Sequence, residues 1–574
     1  MHNSECKQSV AIPRRDSFRA IPIGSPIIKD KGICDPHIHV FNGQAYLYAG
    51  VDHSWESTSY VMKEWQIWSS PDLVEWNHRY TFKPETTYMG LSSACWATDV
   101  AARNGRYFWY FSNGACDIGV AVADTPVGPF RDALGRPFIT ANDAPGIKVY
   151  DPDLFIDDDS AATPYIFFGG YGYRVARLAQ CMTVLAEKPR EVVVHHAPPF
   201  GDKVGVFKRQ GVYYLQWGAY YATAECVYGP YEYRGGFTDG HAKTFVWHNQ
   251  WLVAKVEKDT QFFRSTSINY LMFHDDGTIP YLRNDLVGVG QYDAGRPRLF
   301  MAHYTAASDA DRVRESDETG FEVAGLPDGG WLHFPRLLRV PEQPVLHLRY
   351  RHDGDSIVKC EVNGQSICLT PTRGHVTISW PMVARPRDLH FRLHGAQASL
   401  VSLAWFSFDP AAAYPEEVGK YFDFTTSVQG WQAISGTTLA WDPQGGVHGQ
   451  ILDQFAALRG PIFSIVDLDR YKQVRLRMRN TGKASRARLW WDVYGELGLS
   501  EPQSDWSFGR SVEFSLSREG DVAHEYILNL AEHPNWTGGL KQLRLDPAID
   551  SGEGTWALEY LVILRDSTCS HDEK

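Results

Sequence analysis

Five polar residues stand at the head of otherwise apolar segments: Asp35 in ICDPHIHVF, Asp99 in CWATDVAA, Asp151 in VYDPDLFID, Asp202 in FGDKVGVFK and His241 in GHAKTFVW. Each precedes an aromatic strand residue (Tyr46, Tyr107, Tyr165, Tyr213 and Trp251) by 8 to 14 positions, the length of one hairpin. A single aspartate before a strand commonly caps a turn. Four carboxylates and an imidazole at the same place in a recurring unit point instead to one shared site. Two carboxyl groups across a cleft are the minimum for hydrolysing a glycosidic bond: one protonates the leaving oxygen, while the other activates water or attacks directly. Asp35, Asp151 and Asp202 offer three. An inverting pair stands roughly 6.5–9.5 Å apart to admit the water, and a third carboxylate would raise the pKa of the acid by its charge.

The elements that would position these groups are strands. FNGQAYLYAG (41–50), RNGRYFWYFSNG (103–114), TPYIFFGG (163–170), RQGVYYLQWG (209–218) and HNQWLVAK (248–255) each combine a turn with an alternating aromatic strand. Five such copies predict a five-bladed β-propeller over residues 1–310, in which the innermost strand of every blade begins at the same end of the central channel. After about residue 310 the aromatic repeat stops. Short alternating strands with an Asn363-Gly364 hairpin predict a β-sandwich over 311–412. Ala411 to Glu417 reads as a linker, and a second, jelly-roll-like sandwich is expected over 413–574. The fold class is all-β.

Composition narrows the partners. A net charge of −12 with no basic block excludes nucleic acid and anionic membrane, since phosphate binding needs clustered Lys and Arg. A neutral carbohydrate remains, and the 19 Trp in a chain that is 13% aromatic supply stacking faces as well as core. The nine cysteines form no CxxC pair, and Cys360 and Cys368 point to opposite faces of their hairpin, so neither zinc, redox chemistry nor that disulfide is expected. No apolar leader or membrane span is read in the chain; the expected location is cytoplasmic, or secreted or periplasmic if an export signal has been removed.

Taken in order, CDPHIHVF, CWATDV, YDPDLFIDDD, DKVGVFKRQGVYYL, GHAKTF and FFRSTSINYLMFHDDGTI resemble glycoside hydrolase family 43 over about residues 30–290. The resemblance implies a five-bladed propeller, inverting hydrolysis, and arabinofuranosidase, xylosidase or arabinanase activity with no required cofactor. By it Asp35 is the base, Asp151 the pKa-modulating carboxylate and Asp202 the general acid. His241 matches a channel histidine that orders a metal or water in some members, Arg264 matches an arginine that contacts the sugar, and Asp99 falls at a position that is mainly structural. The family's acid is usually Glu. Asp202 pulls the carboxyl back by about one C–C bond, a displacement that costs about 10²-fold if uncompensated. Either the local backbone advances Asp202, or Glu225 in ATAECVYG serves as the acid, or hydrolysis has given way to sugar binding.

Further candidates are Trp96 and Trp55, for stacking at the channel mouth or for packing between blades, and His37, for lining the pocket. His37 and His39 share a strand face but find no third metal ligand at suitable spacing. In the last sandwich Asp423 and Glu559 are candidates for a structural calcium, and Trp490, Trp491 and Trp506 for a sugar platform, although the adjacent pair must face opposite sides of a strand. The expected activity is an inverting exo-glycosidase on arabinofuranosyl or xylosyl linkages of plant oligosaccharides or polysaccharides, arabinofuranosyl preferred. A lectin-like propeller, or a branch acting on another glycan such as galactan, stands as the alternative.

Overall fold

The computed structural model describes residues 24–29, 31–238, 240–282, 288–409, 418–424, 427–442, 445–462, 466–493, 506–517 and 522–565. The stretch read as a linker, 411–417, lies outside them. Gly24–Ala412 forms one compact unit, and the chain from Ala413 on belongs to a second.

The first unit begins with five sheets, antiparallel but for a short parallel edge pair in the fourth, whose innermost strands are Gly32–Phe41, Cys95–Arg103, Asp153–Ile156, Val204–Arg209 and Ala242–Trp247. Each innermost strand contacts the next, and the fifth contacts the first, which closes the ring. The aromatic segments read from the sequence are the second strand of every blade, Gln44–Asp52, Arg106–Asn113, Pro164–Phe168, Val212–Trp217 and Gln250–Lys258. Their alternation has a physical cause. One face of the strand packs toward the preceding blade and the other toward the following blade, so both faces carry large apolar groups. Five hydrophobic cores result, one between each pair of neighbouring blades, including a core of Ile38, Leu47, Phe245, Trp247 and Leu252 that joins the fifth blade to the first. Four of the five inner hairpins turn on two consecutive residues at positive φ: Asn42-Gly43, Asn104-Gly105, Gln210-Gly211 and His248-Asn249. That backbone matches the twist of the flanking strands. The chain ahead of blade one lies along blade five, where the Ile27 N–H donates to Thr266 O (2.9 Å).

The sandwich that follows pairs a sheet built on Val345–His352 and Val401–Asp409 with one built on Trp331–Phe334, Val358–Val362 and Leu389–His394, over a single core. It begins earlier than residue 311. Tyr292–Asp293, Leu299–Phe300 and Ala306–Ala307 already pair with Leu337–Leu338, Val401–Asp409 and Trp331–Phe334. These strands are two residues long, too short for a period-two pattern to reveal. Cys360 pairs with Ile367 across the Asn363-Gly364 turn, and Cys360 and Cys368 are free thiols.

The second unit is another two-sheet sandwich over its own core. Neither member of the Trp490–Trp491 pair offers a face to a ligand. Trp491 is part of the core, and outward-facing Trp490 is only 4% exposed, covered by Arg488, Arg544 and Phe508. Trp506 is half-buried. Asp423 accepts a hydrogen bond from Gln429 and Glu559 is paired with Arg477. Neither belongs to a group of three or more His, Cys, Asp or Glu ligands among the described residues.

Candidate active site

The first strand of each blade opens at one end of the channel, and there the backbone departs from regular β geometry. Asp35, Asp151 and Lys203 have φ of +50°, +52° and +56°. Left-handed backbone is strained for residues with a Cβ and collects at functional sites. In blade one the pairing register breaks between Cys34 and His37, a bulge that turns the Asp35 carboxyl into the channel. The same break falls between Cys95 and Thr98 in blade two, so the counterpart of Asp35 there is Trp96. Asp99 lies three residues deeper.

Asp35, Asp202 and His241 meet at the mouth. His241 donates from Nδ1 to Asp35 Oδ1 (2.6 Å) and from Nε2 to Asp202 Oδ1 (2.8 Å). Burial disfavours charge on the ring, but Asp202 and Asp35 reverse this and raise its pKa to about 10, so it is an imidazolium at neutral pH. One hydrogen bond at each end of an imidazole holds the two carboxylates on the order of 7 Å apart, within the window of an inverting pair.

Asp35 is almost fully buried. Burial works against its charge, yet Arg264, then His241 and Lys203, hold its carboxyl well below the usual range. Arg264 is fixed in turn by a bidentate pair with Asp52, Nε to Oδ2 (2.9 Å) and Nη2 to Oδ1 (3.0 Å), and donates from Nη1 to Asp35 Oδ1 (3.1 Å). It therefore stands behind the carboxylate it holds. Asp151 Oδ2 accepts the Lys203 N–H (2.9 Å). Burial, then the charge of Asp202, pushes Asp151 up to about 7 against Lys203 and His241. Asp202 is the open member of the three, its side chain 43% exposed against 5% for Asp35. Burial again opposes charge there, but His241 holds its pKa below the ordinary value.

A second tier lies beneath the mouth. His37, Asp153 and Lys243 follow Asp35, Asp151 and His241 by two residues, one strand repeat, and so point into the same channel. All three are buried. Lys243 pairs with Asp153, and Lys203 Nζ with His37 Nε2. Burial, outweighing Asp99 and aided by Lys203, drops the His37 pKa to about 3, so this ring is neutral. Asp99 has no exposed surface and ties three blades together: it accepts from His39 Nε2 (2.6 Å) and the Leu154 N–H (2.6 Å), and lies 2.6 Å from His37 Nδ1. His37, read as lining the pocket, is sealed beneath the mouth, and so is Asp99, whose burial suits the structural position that the resemblance gave it. Asp99 is also the third ligand-type group that His37 and His39 lacked, the three lying within 4.8 Å. The Lys203 ammonium on His37 already supplies a cation there, and the set does not fit a metal. His241 likewise has both ring nitrogens engaged by carboxylates.

Trp96 is half-buried at the mouth, edge-on to Tyr150, with no hydrogen-bond partner on its buried Nε1. Trp55 stacks on Phe263 (4.7 Å). Glu225 is remote. Val204, beside Asp202, pairs with Trp217 and that with Tyr220, whereas Ala224 pairs with Tyr213 and that with Lys208, so Glu225 is exposed at the opposite end of the blade. Glu225→Ala is expected to leave kcat/KM within about two-fold of wild type, as for most surface substitutions away from a site; a steady-state assay on an aryl glycoside checks it.

His241 also links stability to pH. Its folded pKa of about 10 lies above its ordinary 6.5, so its contribution is full below about pH 6.5 and is lost as pH rises toward 10. Denaturant unfolding of wild type and His241→Gln at pH 6, 8 and 10 should show a stability difference that shrinks with rising pH. A constant difference would mean the ring is neutral in the folded protein.

The closed five-bladed propeller thus gathers three carboxylates, an imidazolium and a buried arginine at one end of its channel, the groups that acid–base hydrolysis of a glycosidic bond would use. Residues 23–279 match the model of glycosyl hydrolases family 43. The chain is 26% identical over 386 residues to an arabinoxylan arabinofuranohydrolase of Paenibacillus polymyxa, covering 54% of this chain and 60% of that protein. It is 27% identical over 319 residues to a xylosidase/arabinosidase of Bacteroides ovatus, covering 43% of this chain and 94% of that one. Among solved structures, a family 43 arabinoxylan arabinofuranohydrolase from Bacillus subtilis in complex with cellotetraose aligns at 21% identity with a TM-score of 0.43, covering 68% of this chain and 98% of the other.

Proposed function

We propose that the propeller hydrolyses terminal arabinofuranosyl or xylosyl groups of plant oligosaccharides or polysaccharides with inversion, arabinofuranosyl preferred. The observation that carries this reading is the placing of Asp35 and Asp202 on opposite nitrogens of His241, a geometry that sets them on the order of 7 Å apart, within the window of an inverting pair. The names of the Paenibacillus and Bacteroides relatives supply the sugar class.

In the proposed step Asp35, kept ionised by Arg264, removes a proton from water as the water oxygen bonds to the anomeric carbon. The C–O bond to the leaving group breaks, and Asp202 hands that oxygen a proton. The exposed Asp202 carboxyl suits the task because it faces the mouth through which the leaving group departs. Its proton is in store 2.8 Å away on His241 Nε2, and Asp151 adds nearby negative charge when ionised.

Turnover of 4-nitrophenyl α-L-arabinofuranoside and β-D-xyloside tests the reading. Release of 4-nitrophenol from at least one, faster from the arabinofuranoside, is expected. Turnover of neither would overturn it.

A further inference from the structure

In every blade the register sets the end of the second strand beside the start of the first, so the connection from second to third strand rims the mouth. In blade three this connection is Gly169-Gly170-Tyr171-Gly172, with φ of +118° at Gly169, +60° at Tyr171 and +153° at Gly172. A Cβ on Gly169 would come within 2.5 Å of Gly172 O, and one on Gly170 within 1.9 Å of the Tyr150 hydroxyl. The turn therefore excludes a side chain at Gly169 and Gly170, and the side chain it presents to solvent is Tyr171, held at a strained backbone angle. Its N–H donates to Gly201 O (2.7 Å), the residue before Asp202, which fixes the ring's base beside the acid.

The ring itself is 67% exposed. Lys148 Nζ stands over it at 5.4 Å from the centroid, and it makes no ring contact among the described residues. The rings of blade one differ, for Tyr60 packs edge-on to Phe262 and Trp55 on Phe263. The strained backbone presents this ring to solvent with the Lys148 ammonium over it and no aromatic partner among the described residues, and strain held at such a place points to binding.

Resting on the hydrolytic reading above, we propose that Tyr171 is a specificity-determining residue, the stacking platform for the pyranose ring of the leaving group. The leaving oxygen must meet Asp202, and the residue next to that carboxylate is tied to the Tyr171 turn, so a sugar attached to that oxygen lies over the tyrosine. A ring-on-ring contact of this kind is worth about ten-fold in affinity.

The test compares wild type, Tyr171→Ala and Tyr171→Phe. kcat/KM is measured on arabinofuranosyl-xylotriose and on methyl α-L-arabinofuranoside, whose aglycone has no ring, and xylotriose binding is measured by calorimetry. Tyr171→Ala is expected to lose about ten-fold more on the xylotriose conjugate than on the methyl glycoside and to bind xylotriose about ten-fold more weakly, while Tyr171→Phe restores both. An equal loss on the two glycosides with unchanged xylotriose affinity would overturn the platform and leave Tyr171 a structural role. Should wild type hydrolyse neither glycoside, the hydrolytic reading falls, and the xylotriose titration alone decides the platform.

Discussion

Asp35→Asn is expected to lower kcat on 4-nitrophenyl α-L-arabinofuranoside by about 10⁴-fold, the upper end of what a positioned general base contributes. The asparagine keeps the volume and one acceptor oxygen but cannot take the proton from water. The surrounding structure should survive, because Arg264 keeps its bidentate pair with Asp52 and His241 keeps Asp202. Steady-state kinetics beside a urea unfolding curve separates the two effects. A collapse of activity with a cooperative, near-native transition assigns Asp35 to the chemistry. Retention of more than a tenth of the activity would remove it from the role of base.

Asp202→Asn should show a loss that depends on the leaving group. A sugar hydroxylate is a poor leaving group and needs its proton in the transition state, whereas 4-nitrophenolate departs with little help. The variant is therefore expected to lose about 10³-fold on arabinofuranosyl-xylotriose and roughly ten-fold on the 4-nitrophenyl glycoside. A uniform loss across both substrates would mean that Asp202 acts by holding His241 in place instead of by delivering a proton. Comparison of the two kcat/KM ratios makes the distinction.

The mouth of the channel was legible in the sequence because a charged side chain at the head of an apolar strand stands out, and five strand heads in a propeller converge by topology. Asp35, Asp151, Asp202 and His241 were found in that way. Asp99 carries the same signal and was misplaced by it. The bulges at Asp35 and Trp96 insert residues ahead of the regular strand, and nothing in the local composition shows where a bulge falls. Lys203 escaped for a related reason. Following Asp202 at a strand head, it should point away from the channel, but its positive φ rotates it inward, where its N–H meets Asp151 and its ammonium meets His37. Asp52 sits at the end of a second strand and holds Arg264 in the site, a contact more than 200 residues distant in sequence. Asp153 and Lys243 were within reach, since each lies one strand repeat beyond a residue already singled out. The strands from 292 to 307 were grouped with the propeller because two-residue pairings leave no periodic trace.

The stereochemistry of the released sugar tests the central claim most directly. Proton NMR during the first minutes of cleavage of an α-L-arabinofuranoside should show β-L-arabinofuranose appearing first and mutarotating later, as a water molecule admitted between Asp35 and Asp202 requires. Initial appearance of the α-anomer would require a covalent intermediate on a carboxylate about 5 Å from its partner, and would contradict the placing of the two groups on opposite sides of His241.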